Sequence, residues 1–420
     1  MRTQRFLAIA AALGLAGVAA CSATPAPTQP NATPPVNLSC AWPSSAGVQS
    51  HNLLFSDSAA GYWLQPIVAT ATTTIHVSGR YPDARYFSLN VYTPNGDTVT
   101  GNGAGSSLPD YQIAADPGSV NPWQRAGTAG GSYELDLRAD ASGLPNVLPL
   151  PSGTTSAHPG YLLYRVYVPA GGDFSRIPLP SISISNGSTT TRLQPCATHI
   201  APVWAPERSS ASAPSAPATP PPPPDAFFTP AYTANGVGLL PNADASYVEA
   251  YFTRPAAGDV VVVTAKAPTF APGEHPSPWP IPAEDMRYWS MCVAVGAAHV
   301  PTVINQLPGG KTDYGCRADE STAIGAAGNY TYVIGAESQR AEISAIPGAT
   351  FLPLQTGSSA TIYLLLLRNL LANARFTNSP QTVATTFDPA AASAAMGPYY
   401  PKVTTCALAA LQKDGAAGCA

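Results

Sequence analysis

The chain has 420 residues, 45% of them hydrophobic and only 10% charged, with a formal net charge of −4. That apolar content is ample for two cores and sets aside general disorder. No basic run exceeds two residues, so the electrostatic footprint of nucleic-acid binding is missing, and Ser, Thr, Asn, Gln and Gly must clothe the surface, as in exported β-rich proteins.

Residues 1–20 read as a lipoprotein signal peptide. Arg2 and Arg5 form a positive start, and Phe6 to Ala20 is an apolar stretch, too short for the roughly 20 residues that cross ~30 Å of hydrocarbon. It ends in Val18-Ala19-Ala20-Cys21, which resembles the bacterial lipoprotein cleavage box and implies acylation of Cys21. An ordinary secretory signal with a stray cysteine is the rival reading. The lipid would anchor the mature chain to a membrane without a spanning helix. Ser22 stands where inner-membrane retention calls for aspartate, so the expected address is the cell envelope, at the outer membrane if the cell has one. Residues 21–37, rich in Pro, Thr and Ala, form a flexible tether.

Residues 38–204 are expected to be a first β-sandwich. In Ser132 to Arg138, apolar and polar residues alternate strictly, as do Thr74 to Ser78 and Ser181 to Ser185, which describes strands with one wet face. Tyr161 to Val168 is more uniformly apolar, as a central strand should be. Turn residues separate them, among them Pro94-Asn95-Gly96-Asp97 and Asp116-Pro117-Gly118. The Pro/Ala/Ser-rich stretch 205–225, with consecutive prolines from Pro220 to Pro224, reads as a semi-rigid linker. Residues 226–375 form a second sandwich, in which Val260 to Thr264 is a central strand. The tail, 376–420, carries two short helices. One is Ala390 to Met396 with Asp388 as N-cap and Pro389 at its first position; the other spans Val403 to Lys413. The fold class is thus mostly β: two tandem antiparallel sandwich or jelly-roll-like domains and a short helical C-terminal tail.

The two domains are copies of one unit. Asp83-Ala-Arg-Tyr-Phe-Ser-Leu89 recurs as Asp285-Met-Arg-Tyr-Trp-Ser-Met291. In the same order, Asp110-Tyr111 recurs as Asp313-Tyr314, Ala115-Asp116 as Ala318-Asp319, Leu148-Pro149-Leu150 as Leu352-Pro353-Leu354, and Arg165 as Arg368. Apart from Cys21, six cysteines remain, an even number in a chain marked for export. Position favours three local disulfides: Cys40–Cys196 around the first copy, Cys292–Cys316 inside the second, and Cys406–Cys419 in the tail. Asn90 and Ile113 are the first-copy counterparts expected for the second pair. With no C-x-x-C and no histidine clustered near cysteine, no metal is expected.

Three stretches carry a family resemblance. Arg85-Tyr86-Phe87-Ser88-Leu89, Asn146-Val147-Leu148-Pro149-Leu150-Pro151 and Tyr164-Arg165-Val166-Tyr167-Val168-Pro169 are similar, in order, to the R-Y-W-S-L, N-W-L-P-x-P and L-R-x-Y-x-P signatures of the bacterial family numbered twelve-fourteen among domains of unknown function. The resemblance implies a β-sandwich and transfers no catalytic residue. Val147 replaces the motif tryptophan, and the second copy has Arg368-Asn369-Leu370 in place of Arg-x-Tyr.

Catalytic signatures are missing from the sequence: no G-x-S-x-G, no H-E-x-x-H and no phosphate-binding glycine loop. Asn95-Gly96-Asp97 reads as a hairpin turn before a calcium loop. The carboxylates Asp83, Asp110 and Asp116, paralleled by Asp285, Asp313 and Asp319, could in principle serve glycoside hydrolysis, but their duplication favours a role in the shared fold. The aromatics Trp42, Trp63, Trp123, Trp204, Trp279, Tyr399 and Tyr400 could stack on sugars or hold apolar ligands, although sealing core edges is favoured. Arg85, Arg165, Arg287 and Arg368 are the candidate anion-site residues; their recurrence favours structural struts, with Asp83 and Arg85 sharing one strand face. The leading expectation is a non-catalytic envelope lipoprotein, held to the membrane by its lipid, that binds an envelope glycan or a small apolar ligand without a cofactor. The alternative is a cell-envelope hydrolase using a cleft between the copies.

Overall fold

The computed structural model describes residues 38–99, 105–127, 129–202, 225–229, 240–297 and 299–419. The signal peptide, Cys21 and the tether lie outside them, as does the linker up to residue 224.

Each half is a two-sheet sandwich. In the first, one sheet orders the strands Ser44–Ala46, Ala60–Ile67, Gly160–Pro169, Ala84–Tyr92 and Ser107–Pro109. The other orders Thr189–Arg192, Ser181–Asn186, Thr73–Arg80, Ser132–Arg138 and Val147–Pro149. The second half repeats this plan. Ala245–Thr253, Ile362–Ala372, Met286–Val295 and Cys316–Ala318 make one sheet. Ala349–Pro353, Asn329–Gly335, Asp259–Lys266 and Lys402–Ala407 make the other. Within these four sheets pairing is antiparallel except at Val147–Pro149 and Ala349–Pro353, which lie parallel to their neighbours.

The burial patterns explain the two kinds of strand in the sequence. Thr73–Arg80 alternates buried positions with partly or fully exposed ones, as a sheet with one wet face should. Ala84–Tyr92 is buried at every position. Its sheet is covered on one side by its own sandwich core, around Phe87, Leu89 and Trp123. On the other side a mixed cluster joins Tyr86 and Tyr167 of the first half to Tyr288, Leu364 and Leu366 of the second. We call these covered sheets the inner ones; they bring the two halves face to face.

Two sequence expectations need correction. The segment Val403 to Lys413 is not one helix: Lys402–Ala407 is an edge strand beside Asp259–Lys266, and only Leu408–Asp414 is helical. Val403, Thr404 and Thr405 are β-branched and favour the open sheet edge. The second sandwich therefore draws one of its strands from beyond residue 375, where its boundary was expected. The other tail helix, Pro389–Met396, has Asp388 accepting from the amides of Ala390 and Ala391.

The cysteines are joined as Cys40–Cys196, Cys292–Cys316 and Cys406–Cys419. Cys292 faces Cys316 across the inner sheet, and the same register in the first half sets Asn90 opposite Ser107. Ser107, not Ile113, is thus the counterpart of Cys316, because the second copy inserts the hairpin Ile304–Gln306/Thr312–Tyr314 and shifts the alignment.

Candidate ligand cavity between the two sandwiches

The recurring arginines divide into two pairs with different surroundings. Arg85 and Arg287 lie on equivalent inner strands, and each reaches across to a carboxylate of the other half. Arg85 Nη1 donates to both oxygens of Asp319 at 2.8 Å, and Arg287 Nη1 to both oxygens of Asp110 at 2.7 Å. Each aspartate is fixed by its own half as well. Asp110 accepts from the amides of Phe87 and Tyr111, and Asp319 from those of Trp289 and Glu320. The two ion pairs form a self-complementary exchange, the pattern of a twofold dimer interface built within one chain. Asp83 is not the partner of Arg85, as their shared strand face suggested; it pairs with His275 at 2.7 Å.

The matched dipeptides of the sequence mislead here. Asp110 corresponds in space to Asp319, since both follow the short strand that pairs with the Ser88 or Ser290 segment. Asp313 instead binds Arg317 and Arg340, and the Asp116 backbone carbonyl accepts the Ser119 amide in a turn. Burial holds the carboxyls of both Asp110 and Asp319 up at about 6, against the pull of their arginines and amides.

The second pair, Arg165 and Arg368, lines a cavity of about 390 Å³ whose walls come from both halves. Period-two alternation puts them there. On Gly160–Pro169, Leu162, Tyr164 and Val166 enter the first core, so Leu163, Arg165 and Tyr167 point the other way. On Ile362–Ala372, Tyr363, Leu365 and Leu367 enter the second core, while Leu364, Leu366 and Arg368 line the cavity. Each arginine faces a tyrosine on the neighbouring strand: Arg165 opposes Tyr62 and Arg368 opposes Tyr247. The guanidinium carbons lie 5.6 and 5.3 Å from those ring centres, within cation–π reach.

The halves part company at the counter-ion. Arg368 Nη1 binds Asp57, and its Nη2 donates to the Phe55 carbonyl at 3.1 Å. Asp57 also accepts from Tyr288 Oη at 2.9 Å and Ser290 Oγ at 2.6 Å. Arg165 Nη2 makes the matching carbonyl bond, to Leu240 at 3.3 Å, and contacts Tyr92 Oη at 3.3 Å. The position matching Asp57 is Asn242. Asp57 accepts the Ala59 amide on its side chain and the Ala60 amide on its carbonyl, and Asn242 accepts those of Asp244 and Ala245 in the same way. Arg165 Nη1 and Asn242 Nδ2 are both buried and lack a hydrogen-bond partner among the described residues. Asp244 acts on Arg165 through space, but its carboxylate is taken by Tyr86 Oη at 2.6 Å and Ser107 Oγ at 2.9 Å, and burial raises it above the usual carboxylate range.

Glu249, Tyr251, His299 and Ser56 also line the cavity. Ser56 Oγ donates to the Leu53 carbonyl at 2.7 Å and Tyr251 Oη to Glu249 at 3.5 Å. The wall thus combines guanidinium and hydroxyl donors with apolar surface.

The remaining candidates are structural in their contacts. Trp42 and Trp123 are buried, their indole nitrogens donating to the carbonyls of Pro180 and Arg85. Trp63 packs on Tyr164, and Trp279 stacks 5.0 Å from the Arg287 guanidinium. Tyr399 packs on Phe376 and Tyr400 hydrogen-bonds Phe227. Trp204 lies outside the described residues. Asp57, Cys292 and Cys316 cluster with metal-ligand spacing, but both sulfurs are spent in a disulfide and the carboxylate is held by Arg368. The cavity had one signal in the sequence, the arginine that recurs within a largely apolar strand of both copies; Asn242 had none.

No protein-family model and no curated protein matches the chain. Among solved structures, it is similar to an uncharacterised protein from Burkholderia cenocepacia, with a TM-score of 0.51 and 14% identity over 89% of this chain and 84% of that one. It also matches the VPA0106 protein from Vibrio parahaemolyticus, with a TM-score of 0.41 and 12% identity over 86% and 90% of the respective chains. The first likeness supports a shared fold and nothing about activity.

Proposed function

We propose that this chain is an exported bacterial lipoprotein, anchored to the cell envelope through Cys21, whose paired sandwiches hold a small, largely apolar ligand without transforming it. The observation that carries the reading is the cavity of about 390 Å³ between the inner sheets, within the roughly 300–1,000 Å³ of small-molecule sites. Its wall mixes leucines and tyrosines with a few fixed polar groups, the composition expected of a binding site. The lipobox reading of Val18 to Cys21 supports the envelope assignment.

The uncharged fluorophore N-phenyl-1-naphthylamine tests the cavity directly. Its emission should rise on mixing with the purified protein, and the wall substitution Leu366→Trp, checked for native circular dichroism, should abolish the rise. Equal signals from both proteins would place the dye elsewhere and remove the basis of this reading. For the anchor, Cys21→Ser should leave an exported protein that no longer partitions into detergent; persistent membrane partitioning would refute it.

A further inference from the structure

We propose that the ligand is an amphiphile with a carboxylate head, and that Arg165, left without a carboxylate contact by Asn242, receives that head. The inference rests on the cavity reading above and adds the ligand's charge and orientation.

Four arginines lie buried on the inner sheets. Arg85, Arg287 and Arg368 each contact an aspartate: Asp319, Asp110 and Asp57 in turn. Arg165 is 3% exposed and contacts none among the described residues. A buried guanidinium without an anion in contact is costly to keep, and folding alone would favour either an aspartate or an apolar residue there. The second half shows the aspartate solution. The second half's Arg368 meets Asp57 of the first half, and where Asp57 sits the second half presents Asn242 to Arg165, an equivalence set by matching turn hydrogen bonds and by the parallel carbonyl contacts of Phe55 and Leu240.

Replacing a carboxylate by an amide does more than remove a charge. It turns two acceptor oxygens into one acceptor and one donor. Asn242 spends its oxygen on the Asp244 amide, and its Nδ2 is left buried and unpaired, like Arg165 Nη1. Two unmatched donors therefore belong to one equivalent position. A carboxylate at Arg165, which lines the cavity, satisfies its unpaired Nη1, and charge-assisted bonds in a dry site are strong. Tyr92 Oη accepts from the same guanidinium and donates to the Pro241 carbonyl at 2.8 Å, so it fixes the arginine and leaves the Nη1 proton for the anion. The rest of the ligand would meet Leu163, Leu364 and Leu366 along the apolar wall. Asp244 and the wall residue Glu249 disfavour a second negative charge, so a single carboxylate fits better than a dianion.

Displacement of N-phenyl-1-naphthylamine by decanoate, decanol and decyl phosphate at pH 8 tests the head group. Melting temperature with and without acetate tests the anion site apart from the chain. The native protein should bind decanoate at least tenfold tighter than decanol, bind decyl phosphate more weakly than decanoate, and melt higher in acetate than in matched chloride. Asn242→Asp restores the arrangement seen at Arg368, so it should raise the melting temperature, erase the preference for decanoate and remove the acetate response while decanol still displaces the dye. Equal affinity of the native protein for decanoate and decanol, or an Asn242→Asp protein that keeps the tenfold preference, would overturn the proposal with the cavity reading intact. Failure of the dye itself to bind would overturn the cavity reading, and the acetate response would then decide the anion site alone. Preference for decyl phosphate would assign the site to phosphate heads and refute the carboxylate.

Discussion

The interface between the halves has two regions that treat duplication differently. At Arg85 and Arg287 the exchange is reciprocal: each half lends an arginine and receives one, and the aspartates are held by equivalent amides. At Arg165 and Arg368 the same strands, tyrosines and carbonyl contacts recur, but only one arginine has its aspartate. A duplicated unit that must dock on itself keeps whatever the docking needs in both copies. Where the copies differ at a buried charge, folding does not require the difference, and ligand binding is the place to look for its cause.

The largest expected effect breaks the symmetric region. Arg287→Ala leaves Asp110 buried without its cation, which costs roughly 3–5 kcal/mol in comparable buried pairs. The urea midpoint should fall accordingly, and because the pair spans the halves, the loss should loosen the docking of both rather than melt one half alone. Arg85→Ala should cost at least as much, since Asp319 has the same amides and Arg85 also serves Glu320 at 3.1 Å and the Gly273 carbonyl at 2.6 Å, whereas Arg287 Nε and Nη2 have no partner among the described residues. A native urea midpoint for Arg287→Ala would show that the exchange is not what holds the halves together.

The next variant makes the asymmetric region symmetric from the other side. Asp57→Asn gives Arg368 the environment of Arg165 and strips Tyr288 and Ser290 of a shared acceptor. A loss of about 3 kcal/mol is expected for the orphaned guanidinium, read by the same denaturation, together with a new acetate-dependent gain in melting temperature. A destabilised Asp57→Asn protein that ignores acetate would mean that an unmatched arginine in this fold does not by itself create an anion site.

A smaller effect concerns the disulfide Cys292–Cys316, which the first half replaces with Asn90 and Ser107 at the same register. Because that corner folds without a bridge in one copy, Cys292→Ser/Cys316→Ser should still fold. Closing a loop of this length in the unfolded chain is worth about 3 kcal/mol in the entropic account, so the loss should not exceed that in guanidinium titration. Failure of the double variant to fold would show that the second copy depends on its bridge in a way the first does not.

Much of this architecture was legible in the residues. The heptapeptide Asp83 to Leu89 and its echo at Asp285 to Met291 announce the duplication, and period two in Ser132 to Arg138 announces the strands. The uniform apolarity of Tyr161 to Val168 showed a strand covered on both faces, with Arg165 on the apolar side. It could not show what covered the second face, because alternation within a strand is blind to whether the neighbour is its own sandwich or the other copy. The partners of Arg85 and Arg287 were hidden for the same reason. Asp110 also has a false twin in Asp313, since an inserted hairpin moved its true counterpart to Asp319. Asn242 was invisible as a site residue; only its superposable turn with Asp57 reveals which charge is missing.

The smallest effect separates the regions by pH. Burial sets the folded-state carboxyls of Asp110 and Asp319 at about 6, above the ~3.9 of an unfolded aspartate. The folded chain therefore holds these protons longer than the unfolded one. Their contribution to stability is fully present below pH ~4 and is lost as pH rises through about 6, on the order of 3 kcal/mol for each group over the whole range. Comparing the native protein with Asp110→Asn isolates one of them. The difference in unfolding free energy, native minus variant, should fall between pH 4 and pH 6.5 and level off above it. Asn242→Asp, which touches only the cavity region, should leave that slope in place. A native-minus-variant difference that instead rises with pH would mean that Arg287 outweighs burial and holds Asp110 ionised throughout, making the exchange a charged strut at every pH where the chain is folded.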